Sequence, residues 1–522
     1  MRTLVLILFA ATSVVAAVTP VEYLDLLPKP QFKPGHRLLP LTRWGYTLGS
    51  NTTVVLARDW GYTLTLENFA TPAKAADVTT PGTYSYGMAQ LASNYPNTFK
   101  LSVLIDLTFT NPPAGYYCTN AAGEFVNNQG QVVPAGIIPS PEGPDSYWSD
   151  ITDYWIHSLR VIQSNAPIAI ILNGGEYGLN TGGQDHLAWR QDPRVQAATN
   201  GLSLLRYSSD RKAHQLGFLT RAIEQHFPNR SLYVFYSTSR ENYRSYQVPG
   251  YIQWDDISMW GWDSDVMNTN TDLPSFEAYW SGNHGWTNAP GVHFSEISDL
   301  LTRYLNGVGY NLKLSASYST NYNWVNAGSG GGFSEIERYQ GFLRCLYTAG
   351  MVGGVAAYFE IPAGGFDATF LPNNPPHWLL QMTALSQVHA QFTYLEDYVW
   401  NGALIEGNGN MVAAAGVVLT GHAMSQDQSS YEFTNTVADA TCRVLARKHN
   451  DRNEWLVCAW AADGTNRAVT VTIPTLGEIT VTAADSGNLY SAIPGRVSLL
   501  NALGRRVDAK EMIVQGLMTI NR

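Results

Sequence analysis

Charge is scarce in this sequence. Only 14% of its 522 residues are Asp, Glu, Lys or Arg, against about 25% in an ordinary soluble domain, which excludes a disordered chain and a coiled coil. Basic residues are the scarcer kind: 32 Lys and Arg stand against 42 Asp and Glu, a net charge of −10. That balance repels polyanions, so neither nucleic acid nor an anionic membrane is expected as a partner. Cysteine is nearly missing too. Cys118, Cys345, Cys442 and Cys458 have no C-x-x-C or His-flanked spacing, and no zinc site is expected. Cys442 and Cys458 fall on neighbouring predicted strands, where a bridge and two buried thiols are both open. No apolar run reaches the ~20 residues that span a bilayer. There is no G-x-S-x-G elbow, no H-E-x-x-H and no P-loop, which sets aside α/β-hydrolase, zincin and nucleotide-hydrolase chemistry.

Aromatic residues and glycine are abundant. The chain has 15 Trp, 29 Tyr and 46 Gly, the composition of a large folded protein with aromatic-lined surfaces and many turns. At the N-terminus, Arg2 precedes the apolar run Leu4–Ala11 and then the small-residue stretch Val15-Ala16-Ala17. This pattern predicts a signal peptide over residues 1–17 and a secreted or periplasmic protein whose mature chain starts near Val18.

From residue 37 to 394, short apolar runs alternate with helical patterns, as in β/α units around a parallel sheet. Eight runs are read as strands: Arg37–Tyr46, Tyr62–Phe69, Phe99–Thr108, Ile168–Asn173, Leu232–Thr238, Ile257–Trp260, Leu312–Tyr318 and Val355–Glu360. Helices are read at Tyr84–Asn94, Ser146–Ser164, His214–Phe227, Phe294–Leu305, Phe333–Thr348 and His377–Phe392. Eight repeats predict a (β/α)8 TIM barrel over 18–395. After residue 396 the pattern turns to β-rich alternation, predicting a smaller all-β sandwich over 396–522. Trp455, Trp460 and Tyr490 in that region are read either as core or as a sugar platform.

Barrel enzymes place catalytic groups where strands end and βα loops begin. After the fourth run, Asn173-Gly174-Gly175-Glu176-Tyr177-Gly178 sets one carboxylate among three glycines, a tight turn at the sheet edge. After the eighth, Glu360 precedes the loop Ile361–Phe366. Hydrolysis of a glycosidic bond needs two carboxyl groups, one to protonate the leaving oxygen and one to attack or to activate water. Glu176 and Glu360 supply such a pair, with Asp263 as an alternative in Met259-Trp260-Gly261-Trp262-Asp263. Arg43, Trp44, Asn173, Tyr177, Trp260, Trp262, His284 and Tyr318 are the candidate substrate contacts. No cofactor or metal is called for.

With these residues in place, the sequence resembles the clan of retaining (β/α)8 glycoside hydrolases. In that clan an acid/base Glu follows strand four and a nucleophile Glu follows a late strand. The resemblance implies a secreted glycosidase acting on a polysaccharide or oligosaccharide, with Glu176 as acid/base and Glu360 as nucleophile. Two departures stand out: Asn173 is separated from Glu176 by two glycines, and Glu360 follows the eighth run where the clan uses the seventh strand. A non-catalytic carbohydrate-binding barrel and a polysaccharide lyase are the alternatives. A binding protein tolerates loss of Glu176, and a lyase leaves a new double bond in its product.

Overall fold

The structure, a computed structural model, describes residues 16–43, 48–105, 114–127, 129–173, 186–202, 204–234, 273–279, 317–321, 336–357, 368–405, 417–424, 430–437, 442–461 and 466–507. Eight strands form one sheet: β1 (Thr42–Arg43), β2 (Leu64–Phe69), β3 (Leu101–Ile105), β4 (Ile168–Asn173), β5 (Ser231–Val234), β6 (Leu273–Tyr279), β7 (Ser317–Asn321) and β8 (Gly353–Ala357). Their order is β1-β8-β7-β6-β5-β4-β3-β2, and each adjacent pair is parallel. The two ends of that sheet meet. Leu41 bridges Tyr62 in parallel; the Leu41 N–H donates to Gly61 O at 3.0 Å and the Thr63 N–H to Leu41 O at 2.7 Å. The sheet is therefore closed on itself, and the fold is a (β/α)8 barrel.

One strand differs from the sequence reading. The sixth is Leu273–Tyr279, not Ile257–Trp260, which lies outside the described residues, as does the helix expected at Phe294–Leu305. The other strand runs fall on or beside the observed ones.

Ten helices are described: α1 (Pro20–Leu26), α2 (Ser50–Asp59), α3 (Pro72–Asp77), α4 (Tyr84–Asn94), α5 (Asp145–Asn165), α6 (His186–Gln191), α7 (Pro193–Thr199), α8 (Leu204–His226), α9 (Ile336–Ala349) and α10 (His377–Trp400). Their ends are written in the sequence. Thr83 caps α4, its hydroxyl accepting from Tyr86 N at 3.1 Å. At α1, Thr19 and Glu22 form a reciprocal capping box. Helix α5 buries Tyr147, Trp148, Ile151, Trp155, Ile156, Leu159 and Ile162, one apolar stripe at helical spacing that packs on the outside of β3 and β4. By contrast, α10 is buried on nearly every side, from Trp378 and Leu379 through Phe392, Leu395 and Val399. A helix buried on nearly every side needs cover on both faces, and α10 has it.

That second cover is the C-terminal β region. The boundary expected at 396 falls inside α10, and the first strand of the region, β9, is Gly402–Leu404. A five-stranded antiparallel sheet runs β17 (Arg496–Leu499), β16 (Asn488–Ile493), β13 (Trp455–Ala461), β12 (Cys442–His449), β9. Two hairpins complete the region: β10 (Val417–Met424) with β11 (Ser430–Val437), and β14 (Arg467–Ile473) with β15 (Gly477–Ala483). Alternation gives the β12–β13 layer two buried faces. Leu445, Leu456, Cys458 and Trp460 join the core of α9 and α10, whereas Cys442, Val444, Ala446, Trp455, Val457 and Ala459 pack against β14 and β15. Cys442 and Cys458 thus sit on opposite faces of the layer, three register positions apart, and cannot bridge. Trp455, Trp460 and Tyr490 are buried and belong to these cores, which removes them as a sugar platform.

The seam between barrel and β domain is also polar. The buried guanidinium of Arg447 on β12 donates to Tyr398 O at 2.6 Å, Val399 O at 2.9 Å, Gly402 O at 3.0 Å and Thr348 O at 3.3 Å. Three of these carbonyls, those of Thr348, Tyr398 and Val399, lie in the last turns of α9 and α10, where the helix dipoles favour a cation, and the fourth opens β9. Arg344 on α9 donates to Gln391 Oε1 of α10 at 2.9 Å and to the backbone carbonyl of Ser486. Burial lowers its pKa to about 10. At the same seam Gly341 of α9 and Gly487, which has a φ of +70°, bring two backbones together where neither tolerates a Cβ.

Candidate active site

The barrel interior is defined by three hydroxyls. Thr63 Oγ1 donates to Thr42 Oγ1 at 3.0 Å, Thr42 and Ser102 oxygens are 2.8 Å apart, and Thr63 and Ser102 oxygens are 2.8 Å apart. All three residues are buried. Because β2 lies between β1 and β3, side chains of β1 and β3 meet only on the concave side of the sheet. Thr42, Thr63 and Ser102 therefore point into the barrel, and strand alternation turns Leu41 and Arg43 outward.

This parity locates the described candidates. The Arg43 guanidinium, 4% exposed, reaches the helix layer: Nη2 donates to Tyr84 Oη of α4 at 3.1 Å, and that hydroxyl donates to Thr53 Oγ1 of α2 at 3.0 Å. Its Nη1 is buried with no hydrogen-bond partner among the described residues. Burial lowers its pKa, partly opposed by Tyr84. The structure thus corrects the reading of Arg43 as a substrate contact, because its side chain is held between strand and helices. Tyr318 is likewise on an outward row. It registers with Gly354, and a Cβ at Gly354 would meet Leu41 and Leu385 of α10. Asn173, fully buried, registers with Ile105 of β3 and Val234 of β5, on the helix-facing side with Ile171. Glu176, Glu360, Asp263, Trp44, Tyr177, Trp260, Trp262 and His284 lie outside the described residues.

The same ladder shows a residue the sequence reading missed. Glu277 of β6 registers with Ser319 of β7, Ser319 with Val355 of β8, and Val355 with Thr42 of β1, with no shift along the way. Glu277 therefore occupies the interior row, two residues before the C-terminal end of β6. No other residue of that row in β6, β7, β8 or β1 carries charge. The signal was present in the sequence: Leu273, Ser275, Glu277 and Tyr279 alternate with Pro274, Phe276 and Ala278. Glu277 is thus a carboxylate carried by the sixth strand itself, whereas Asp263 lies outside the described residues.

The connections after β3 and β4 build a wall on the C-terminal side of the barrel. Cys118, Val126 and Ile138 of the first pack with Ala188, Trp189, Val195 and Tyr207 of the second in a separate small core. Asp192, buried, caps α7 by accepting from Arg194 N at 2.9 Å. The Arg194 side chain donates to Asp192 Oδ2 at 2.6 Å, Gly115 O at 2.7 Å and Tyr117 O at 2.6 Å. This arginine holds the Asp192 carboxyl below its ordinary pKa against the opposing effect of burial. Tyr207 donates to Glu142 Oε1 at 2.8 Å, and Arg211 pairs with the same oxygen at 3.1 Å. Among the described residues, no group of three His, Cys, Asp or Glu is placed to hold a metal ion, and no helix is long and apolar enough to cross a membrane.

Neither the protein-family models nor the curated proteins give a match to the chain. Solved structures do. A β-galactosidase from Rahnella sp. aligns over 89% of this chain and 100% of its own, with 9% identity and a TM-score of 0.48. A family 27 β-L-arabinopyranosidase from Geobacillus stearothermophilus aligns over 93% and 99%, with 8% identity and a TM-score of 0.40. A family 39 glycoside hydrolase from Bacteroides cellulosilyticus aligns over 89% and 83%, with 11% identity and a TM-score of 0.39. At these identities the likeness transfers no residue and no activity.

Proposed function

We propose that the chain is an exported glycoside hydrolase, cleaving a polysaccharide or oligosaccharide with carboxylates at the C-terminal mouth of the barrel. One observation carries this reading: the barrel is closed and parallel, and candidate glutamates follow the ends of two of its strands. β4 ends at Asn173 and Glu176 comes three positions later; β8 ends at Ala357 and Glu360 comes three positions later. Loops that leave the C-terminal ends of barrel strands share one face. In this mechanism Glu176 gives its proton to the glycosidic oxygen as the bond to the anomeric carbon breaks, while Glu360 attacks that carbon from the other side. Water, deprotonated by Glu176, then releases the sugar. A second choice of partner for Glu176 is favoured by the ladder, which puts Glu277 on the interior row two strands from both β4 and β8.

Release of reducing ends from a panel of neutral and acidic polysaccharides tests the reading, with Glu176→Gln, Glu360→Gln and Glu277→Gln run beside the wild type. Loss of the acid/base group lowers kcat by about 10²–10⁴-fold. It spares aryl glycosides whose leaving group needs no proton, whereas loss of the nucleophile does not. Activity unchanged in Glu176→Gln, or products bearing a new double bond, would sink the proposal.

A further inference from the structure

The seam holds two thiols in contact. Cys345 Sγ on α9 and Cys458 Sγ on β13 are 3.8 Å apart, and both residues are fully buried in the core shared by the barrel helices and the β domain. The other cysteines are elsewhere: Cys118 in the wall core, its thiol 3.5 Å from Pro139 O, and Cys442 on the far face of the β12–β13 layer. A disulfide needs its sulfurs about 2.05 Å apart, so closing this pair takes a movement of about 1.8 Å from the observed 3.8 Å. Side-chain torsions supply a movement of that size.

We propose that Cys345 and Cys458 form a disulfide that ties the β domain to the barrel when the chain folds in the presence of a disulfide oxidant. One cysteine thiolate attacks the oxidant's disulfide and expels a thiol; the second cysteine displaces the other half. Two protein S–H bonds become one S–S bond, and two electrons and two protons leave with the oxidant as two thiols. Full burial sets the timing. The pair reacts while α9 is docking onto β13, and the finished reduced protein resists oxidation because no oxidant reaches either sulfur. The two cysteines are 113 positions apart, a long loop, for which the cross-link stabilises most in the chain-entropy model. The proposal rests on neither export nor hydrolase activity.

The test uses the full chain, refolded from denaturant with reduced and oxidised glutathione and recovered as monomer. The protein is then unfolded, alkylated and digested without reduction for mass spectrometry. The expected result is one linked species containing Cys345 and Cys458, with alkylated Cys118 and Cys442. Its Tm should exceed that of the reduced monomer by about 4 °C or more. Four alkylated cysteines, or a link through Cys118 or Cys442, would overturn the proposal. So would a linked species whose Tm matches that of the reduced protein.

Discussion

Arg43 and Arg447 are both arginines taken out of water, and the structure treats them differently. Arg447, at the seam, meets four carbonyl oxygens, three in the last turns of two helices and one at the start of β9. Arg43, in the barrel wall, meets one tyrosine hydroxyl and leaves Nη1 bare among the described residues. A guanidinium carries five N–H donors, and a buried donor left unmade costs on the order of 1–3 kcal/mol. Burial alone therefore says little about what an arginine does. At the seam the charge is an organising element around which two helix ends are arranged, whereas in the wall it is an electrostatic cost that neighbouring packing outweighs.

Substitution separates the two cases. Arg447→Met strips several buried carbonyls of their donor at once, and we expect a loss of at least about 3 kcal/mol in urea unfolding of the full chain. A loss under about 1 kcal/mol would show that water or rearranged helix ends replace the guanidinium. A third buried basic side chain, the imidazole of His389 on α10, gives an intermediate effect. Burial, reinforced by nearby His36, lowers its pKa to about 3, and Tyr347 Oη lies 2.7 Å from its Nδ1. The folded state thus keeps His389 neutral where the unfolded chain binds a proton. Its contribution is complete above the unfolded pKa of ~6.5 and is lost as pH falls toward 3, at roughly 1 kcal/mol per pH unit. Comparing unfolding midpoints at pH 7 and pH 5 should show a steeper decline in wild type than in His389→Gln, and parallel declines would assign the slope to other groups. Smallest is Arg43→Met, expected within about 1 kcal/mol of wild type because it removes a poorly partnered charge along with a single hydrogen bond. Loss of activity without loss of stability in that variant would return Arg43 to the substrate.

The architecture was legible because each barrel unit repeats a strand-like run and a helix, and because sequences such as Ile168–Leu172 are apolar throughout and rich in β-branched isoleucine. What was not legible was parity. Arg43, Asn173 and Tyr318 were chosen for lying at strand ends, but the face that each occupies depends on register, which is set by the neighbouring strands. β6 was overlooked because Leu273–Tyr279 contains Pro274, Ser275 and Glu277 and so lacks the continuous apolar run of a buried parallel strand. Two of its interior positions, Ser275 and Glu277, are polar, and polar interior positions hide a strand from a hydrophobicity search. The suggested Cys442–Cys458 bridge failed for the same reason, since neighbouring strands do not imply a shared face. For the proposed pair Glu176 and Glu360, the order along the chain is readable, and it is the spacing between them that a sequence does not encode locally.

Helix α10 has a consequence for engineering. Multidomain proteins invite cutting and recombining at domain borders, yet here the last helix of the barrel is also the floor of the next domain. A gene truncated at residue 400 would expose the apolar side that meets Leu445, Leu456 and Trp460, and the product should aggregate instead of giving a free-standing barrel. Recombination is better attempted within the β14–β15 hairpin, which contributes to the far core alone, so that heritable variation in the β domain can accumulate there without reaching the barrel.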